Sequence, residues 1–86
     1  MRIHSVDWDF INVGHIARHH VSPDEVEEAC FNGPLVLRGR GGRYYALGRT
    51  DSGRYIMVVL ECRGGIGRVI TARNMTDAER RRFIRR

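Results

Sequence analysis

An uninterrupted run of five apolar residues, Ile56 to Leu60, is the strongest structural signal in this chain of 86 residues. Turn-forming residues flank the run, with Asp51-Ser52-Gly53 before it and Gly64-Gly65 after it. A short continuous apolar segment between turns is typical of a strand that is buried on both faces. The sequence therefore predicts a buried strand over residues 55–62.

Three further strands are predicted around this segment, over residues 35–37, 43–49 and 68–73, with glycine-rich turns between them. The Asp51-Ser52-Gly53 connection has the length and the glycine of a β-hairpin turn. Together the four segments predict an antiparallel, four-stranded meander.

Two helices are predicted before the sheet. Asp7 or Asp9 can cap the first, which runs to about His20. At helical spacing its candidate buried face consists of Phe10, Val13, Ala17 and Val21. The second helix begins at the capping box Ser22-Pro23-Asp24-Glu25 and ends at Asn32-Gly33-Pro34.

A third helix is predicted after the last strand. Thr76 and Glu79 have the spacing of another capping box, and this helix runs to Arg86. The order of two helices, four strands and one helix predicts a single α+β domain over residues 1–86. We expect the helices to pack on one face of the sheet.

All fifteen cationic side chains are arginines, and the formal net charge is +5. Thirteen of these arginines lie from Arg38 onward, whereas the first 37 residues carry two arginines and six acidic residues. The planar guanidinium group can donate two hydrogen bonds to one phosphate. The basic second half therefore indicates a polyanion partner, although a compositional bias of the source also produces arginine in place of lysine.

No segment has the features of a membrane span or an export signal. Apolar runs fall far short of the roughly 18 residues that cross a bilayer, and residues 1–10 lack the apolar stretch of a signal peptide. Cys30 and Cys62 do not have metal-ligand spacing. We therefore expect a cytoplasmic protein with reduced cysteines.

Arg49 and Arg54 flank the predicted hairpin turn. If they face each other across the strand pair, like charges destabilise the pair unless an anion lies between them. Alternatively, both side chains point into water, or Glu61 or Asp51 neutralises one of them. The pair is thus a candidate site for binding phosphate.

Arg68 and Arg73 lie at the two ends of the last predicted strand. Five positions separate them, so they should point to opposite faces, and only one can join the Arg49–Arg54 pair. We favour Arg73, because it precedes the capped helix. The arginines of that helix, Arg80, Arg81, Arg82, Arg85 and Arg86, form either a solvated face or sequence-independent phosphate contacts.

The histidines offer two kinds of chemistry. His15 and His19 are four residues apart, a spacing that can hold a metal on one helix face. Zinc needs a third ligand, which the sequence nearby does not offer, so we expect no metal. His19 or His20 is the candidate for proton transfer near neutral pH, with Glu61 and Glu79 as weaker candidates.

Several segments, in this order, resemble BrnT-family toxins. They are Asp7-Trp8-Asp9, Asn12, His19 to Ala29, Arg43 to Thr50, Gly53-Arg54, and Arg68 to Arg73 followed by Thr76 and Glu79. The resemblance covers about residues 6–83. It implies a RelE-like fold and a ribonuclease that cleaves RNA through basic side chains, without a metal or other cofactor. It also implies a ribbon-helix-helix antitoxin as partner, through which alone the protein would reach DNA.

Three positions depart from the family pattern. Phe83 stands where the last helix often has tyrosine, which removes a phenolic proton donor. His20 stands where glycine is common, and Thr71 stands where serine is common.

The residue types suit RNA cleavage by attack of its own 2′-hydroxyl group. The transition state carries additional negative charge, which fixed guanidinium groups can stabilise. We assign this role to Arg49, Arg54 and Arg73, and substrate binding to Arg68, Arg80, His19 and His20. Two alternatives stay open: a non-catalytic module that binds RNA or an antitoxin, and a metal-dependent hydrolase that uses His15 and His19.

Overall fold

A computed structural model describes residues 3–86 as five strands and three helices. In chain order they are β1 (Ser5–Asp7), α1 (Phe10–Ala17), α2 (Pro23–Phe31), β2 (Leu35–Arg38), β3 (Arg43–Arg49), β4 (Tyr55–Arg63), β5 (Ile66–Asn74) and α3 (Asp77–Arg85). The strands form one sheet in the order β1-β5-β4-β3-β2. The predicted α+β class and the meander β2 to β5 are confirmed. Among these residues, no helix is both long enough and apolar enough to cross a membrane.

The sheet contains a strand that the sequence did not predict. β1 pairs in parallel with β5, from Ser5 opposite Ile66 to Asp7 opposite Arg68. The sheet is therefore five-stranded and mixed, and the prediction of four antiparallel strands was wrong in this respect. Three residues are too few to show the alternation by which a strand is recognised.

Helices cover both faces of the sheet, not one. On the first face, which we call the α1/α2 face, the buried helix-side residues are Ile16, Val21, Val26, Ala29 and Cys30, and the buried sheet residues are Ala46, Ile56, Val58, Leu60, Val69 and Ala72. On the opposite or α3 face, Phe83 joins Leu47, Met57 and Val59 in a smaller core. Successive side chains of the central strand β4 enter the two cores in turn. Its predicted burial on both faces is confirmed.

The buried side of α1 differs from the predicted stripe. Phe10 is 99% exposed and Val13 is 36% exposed, whereas Asn12 and Ile16 are buried. The side chain of Asn12 accepts a hydrogen bond from the Asp9 N–H and donates one to the carbonyl of Asp7. A polar residue thus occupies the inner side of α1, because it completes the cap of the helix and joins it to β1.

α1 ends earlier than predicted. Its last helical residue is Ala17, and His20 has a φ of 58°. This left-handed conformation is the one that glycine adopts most readily. His20 therefore holds a backbone conformation that residues other than glycine rarely adopt.

α2 and α3 begin at the predicted residues. Ser22 with Glu25, and Thr76 with Glu79, form complete capping boxes. The buried face of α2 consists of Val26, Ala29 and Cys30, whose spacing in the sequence is that of one helix face. Within it, burial together with the charge of a neighbouring glutamate raises the pKa of the Cys30 thiol to about 12. This thiol is therefore protonated and unreactive.

Gly48 allows α2 to pack directly on β3. A Cβ atom at this position would lie 2.1 Å from the carbonyl oxygen of Ala29. Because that oxygen belongs to the helix backbone, no side-chain rotation could make room. The close approach positions α2, and with it the end of β3 that carries Arg49.

Candidate active site

A β-bulge places Arg68 and Arg73 on the same face of the sheet, not on opposite faces as predicted. Arg68 lies opposite Glu61, and Arg73 lies opposite Met57. These partners are four residues apart on β4, so they share a face. Between the two pairs, the register of β5 shifts by one residue. This extra residue compensates for the odd number of positions between the arginines, which would otherwise place them on opposite faces. Because Met57 packs in the smaller core, both arginines lie on the α3 face.

Arg49 and Arg54 do not face each other across the hairpin. Arg49 lies opposite Tyr55 in the last pair of β3 and β4. Arg54 belongs to the turn, where its N–H donates to the hydroxyl of Thr50. The turn is thus longer than an Arg49–Arg54 pair requires, and an aromatic ring occupies the position expected for the second cation.

Arg49, Tyr55 and Arg80 form the centre of the candidate site. The guanidinium carbon of Arg49 lies 4.9 Å from the centroid of the Tyr55 ring, and that of Arg80 lies 4.1 Å from it. Within residues 3–86, neither guanidinium group has a carboxylate within 4 Å. Cation–π contacts hold both groups at one ring. Two cations without a neutralising acid are typical of a site that binds an anion.

A groove of about 340 Å³ lies beside this ring, between the hairpin turn and the start of α3. Its lining consists of Arg49, Gly53, Arg54, Tyr55, Asn74, Met75, Asp77 and Arg80. The positive end of the α3 dipole lies at this side of the helix. We call this the Tyr55 groove.

Arg54 closes one side of the Tyr55 groove and is bound by protein acceptors. Its guanidinium group donates to the side chain of Asn74 at 2.8 Å, to both oxygens of Glu25 at 3.2 Å, and to the carbonyls of His19 and His20. Burial acts to raise the pKa of Glu25, but hydrogen bonds from the start of α2 and from Arg54 lower it overall. Arg54 therefore joins the hairpin turn to α2 and to the end of α1.

Arg73 is bound by Glu79. Its two terminal nitrogens donate to the two carboxylate oxygens at 2.8 and 3.1 Å, and one of them also donates to the carbonyl of Asn74. The hydrogen bonds from Arg73 lower the pKa of Glu79, and the cap with Thr76 lowers it further. This ion pair fixes the first turn of α3, which carries Arg80. The catalytic role assigned to Arg73 stays a prediction.

Arg68 lies at the other end of the α3 face. It pairs with Asp9 at 2.7 Å and with Asp7 at 3.7 Å. The backbone N–H at the cap of α1, and then Arg68, lower the pKa of Asp9. Arg68 lies opposite Glu61, six residues along β4 from Tyr55, which corresponds to about 20 Å. Arg68 is therefore not part of the Tyr55 groove.

The side chains of His4, His15, His19 and His20 are exposed. Nδ1 of His15 lies 3.2 Å from the carbonyl oxygen of Ile70. In the part of the chain that the structure describes, no group of three or more His, Cys, Asp or Glu residues is arranged to hold a metal ion. Through their carbonyls, His19 and His20 flank Arg54 at the side of the Tyr55 groove.

Comparison with known proteins agrees with the family that the sequence segments indicated. The family profile described as the ribonuclease toxin BrnT of type II toxin–antitoxin systems matches residues 8–79. This chain belongs to the BrnT toxin family. Its fold is similar to the crystal structure of the Brucella abortus ribonuclease toxin BrnT, with a TM-score of 0.69 and 23% identity. The match covers 85% of this chain and 97% of that one. A search of curated proteins found no match.

The sequence did not predict four residues of the groove, namely Tyr55, Asn74, Met75 and Asp77. Tyr55 was assigned only to the buried strand, although it directly follows Arg54 at the end of the hairpin turn. Its ring contacts Phe83 edge to face, with centroids 5.9 Å apart. A phenol therefore lies beside Phe83, the position for which the resemblance implied a tyrosine.

Proposed function

We propose that this protein is a toxin that cleaves RNA in the Tyr55 groove without a metal. The observation that carries the proposal is the convergence of Arg49 and Arg80 on Tyr55, with no acidic partner for either cation among the described residues. A phosphate between the two guanidinium groups would supply the missing negative charge. Membership of a ribonuclease toxin family makes RNA the appropriate polyanion.

In the proposed reaction, the 2′-oxygen of RNA attacks the adjacent phosphorus atom, and the bond from phosphorus to the 5′-oxygen breaks. The products are a 2′,3′-cyclic phosphate and a free 5′-hydroxyl group. Arg49 and Arg80 stabilise the additional charge on the phosphorus-bound oxygens. The Asp77 carboxylate accepts the proton of the 2′-hydroxyl, and the Tyr55 phenol gives a proton to the departing 5′-oxygen.

The other predicted site residues have supporting roles in this proposal. Arg54 and Arg73, to which the sequence assigned catalytic roles, are bound to carboxylates. In this proposal they position the hairpin turn and the start of α3 and do not contact the reacting phosphate. His19 and His20 have exposed side chains near Arg54, where they would contact the RNA strand as it enters. Arg68 lies at the far end of the same face and is bound to Asp9 and Asp7, so its predicted role in binding the RNA backbone would require it to exchange these partners for a phosphate.

The direct test replaces Arg49 or Arg80 by alanine and measures RNA cleavage together with the melting temperature. Each variant should lose about 10²-fold in rate, the usual effect of removing one preorganised charge. The matched control is Arg63→Ala, which removes an exposed arginine outside the groove and should change the rate less than about twofold. Two variants with normal cleavage rates would remove the Tyr55 groove from the mechanism.

Induced expression in bacteria tests the activity as a whole. We expect slower growth and fragmented RNA. Normal growth and intact RNA, at verified soluble expression, would instead favour a non-catalytic binding module of the same fold.

Guanidinium groups supply the positive charge in this mechanism, so EDTA should leave the cleavage rate unchanged. Loss of cleavage in EDTA and its recovery with zinc would support the metal-dependent alternative at His15 and His19.

We also propose that this protein is a RelE-like ribonuclease, that it acts in the cytoplasm, and that it binds a ribbon-helix-helix antitoxin. The support is the resemblance of the sequence segments to the family. In this arrangement the toxin would reach operator DNA only within the complex. A mobility-shift assay should then show DNA binding by the toxin–antitoxin complex and none by the toxin alone at the same salt concentration.

A further inference from the structure

A second groove, of about 500 Å³, lies between β2 and α3 and takes no part in the proposed reaction. Its lining consists of Leu35, Ala78, Arg81, Arg82, Arg85 and Arg86. None of these residues lines the Tyr55 groove. We call it the β2–α3 groove.

The walls of the β2–α3 groove carry positive charge that the described part of the chain does not neutralise by ion pairs. Within residues 3–86, no carboxylate lies within 4 Å of Arg81, Arg82 or Arg85. Arg81 and Arg85 are also four positions apart on α3, a spacing at which like charges destabilise a helix. This surface would gain from an acidic partner.

The groove also offers apolar surface along an open sheet edge. β2 is the last strand of the sheet, so its outer edge has no strand partner among the described residues. Leu35 and Leu37 lie opposite Leu47 and Tyr45, which pack on the α3 face. Leu35 therefore lies at the floor of the groove. An open edge with leucine side chains is a surface that proteins usually cover.

We infer that an acidic, amphipathic segment of the antitoxin binds in the β2–α3 groove. Its carboxylates would contact Arg81, Arg82 and Arg85, while its apolar side chains would pack on Leu35. The backbone edge of β2 could accept such a segment as an added strand. The antitoxin as partner comes from the type II family to which the chain belongs. The inference does not depend on the Tyr55 groove being catalytic.

RNA is the competing occupant of this surface. An RNA strand would use the arginines through its phosphates, but it would gain little from Leu35 or from the open backbone edge of β2. The combination of apolar floor, sheet edge and cationic wall favours a protein segment. The two occupants therefore predict different effects of changing Leu35.

The test uses the full chain and two probes, a synthetic peptide of about 12 alternating leucine and glutamate residues and a single-stranded RNA of similar length. The 2′-hydroxyl groups of the RNA are methylated, so that the proposed reaction cannot cleave it during the measurement. The variants are Arg81→Ala/Arg85→Ala and Leu35→Ser. The matched control is Arg40→Ala/Arg63→Ala, which removes two exposed arginines that do not line the β2–α3 groove. Fluorescence anisotropy gives the dissociation constants, and the melting temperature checks that each variant is folded.

We expect Arg81→Ala/Arg85→Ala to weaken peptide binding at least about tenfold, because two charge-assisted contacts are lost. Leu35→Ser should weaken peptide binding several-fold and leave RNA binding unchanged. The control should change peptide binding less than about twofold. The cleavage rate, which tests the Tyr55 groove separately, should be unchanged in all three variants.

Two results would overturn the inference. Equal weakening by the control variant would show that the peptide responds only to overall charge. Weaker RNA binding by Arg81→Ala/Arg85→Ala, with no effect of either variant on the peptide, would assign the groove to RNA.

Discussion

The two faces of the sheet differ in how completely they are covered. Among the described residues, eleven are buried in the α1/α2 core, against four in the α3 core. α2 carries four acidic residues, whereas α3 carries four arginines. The Tyr55 groove and the β2–α3 groove both use α3. The α1/α2 face therefore supplies most of the apolar burial that stabilises this small domain. The other face can therefore keep cations whose repulsion costs stability.

The same comparison divides the arginines. Arg54 and Arg73 join separate elements through carboxylates, and their guanidinium groups are occupied. Arg49 and Arg80 meet at an aromatic ring, and Arg49 also donates to the carbonyl of Gly53. Neither has a carboxylate within 4 Å among residues 3–86. Arginines bound to acids are thus expected to affect stability, and arginines without an acidic partner to affect binding or catalysis.

The largest expected effect comes from a substitution in the core of the α1/α2 face. Leu60 is fully buried there, so Leu60→Ala should lower the free energy of unfolding by about 2–5 kcal/mol. Leu35→Ala, at a half-buried position on the α3 face, should cost about 1 kcal/mol. Urea denaturation followed by circular dichroism measures both. A greater loss of stability from Leu35→Ala than from Leu60→Ala would contradict the conclusion that the α1/α2 face contributes most of the stability.

The next effect concerns the contact between α2 and β3. Gly48→Ala should lower the free energy of unfolding by about 1–3 kcal/mol, because its Cβ would meet the helix backbone. Gly14→Ala is the matched control, since a Cβ there meets nothing within 4 Å. In the middle of α1 this change should stabilise the protein by roughly 0.5–1 kcal/mol. Similar melting temperatures for the two variants would rule out the close packing.

A smaller effect separates the two classes of arginine. Arg54→Ala removes the side-chain donor from the carbonyls of His19 and His20 and one of the two donors from Glu25, so it should cost about 1–2 kcal/mol of stability. Arg49→Ala removes no contact with an acid and should stay within about 0.5 kcal/mol of the original protein. The denaturation midpoints in urea provide the comparison. If both variants lost the same stability, an ion pair with a carboxylate would not determine how much an arginine contributes to stability.

The smallest effect depends on pH. The pKa of Glu79 is lowered below its ordinary value of 4.5 by Arg73, so this pair stabilises the folded state fully above that value. The contribution is lost as the pH falls through the lower pKa of the folded state. Glu79→Gln should therefore cost up to about 1 kcal/mol at pH 7 and progressively less in acid. A difference from the original protein that stays constant from neutral pH into acid would exclude this linkage.

The sequence by itself determined the features that local chemistry decides. The capping boxes at Ser22 and Thr76, the apolar run of β4 and the glycines between strands each act within a few residues. These signals were sufficient for α2, α3 and the β2–β5 meander. The order of the family segments was sufficient for the BrnT family.

Only the tertiary structure decided what depends on contacts between distant residues. β1 is defined by its pairing with β5. The bulge in β5 places Arg68 on the α3 face, whereas a regular strand would place it on the face opposite to Arg73. Similarly, Glu25 and Arg54 meet across 29 positions. Whether an arginine is bound by an acid or left to bind an anion is set by such contacts, because ion pairing depends on distance in space rather than on separation along the chain.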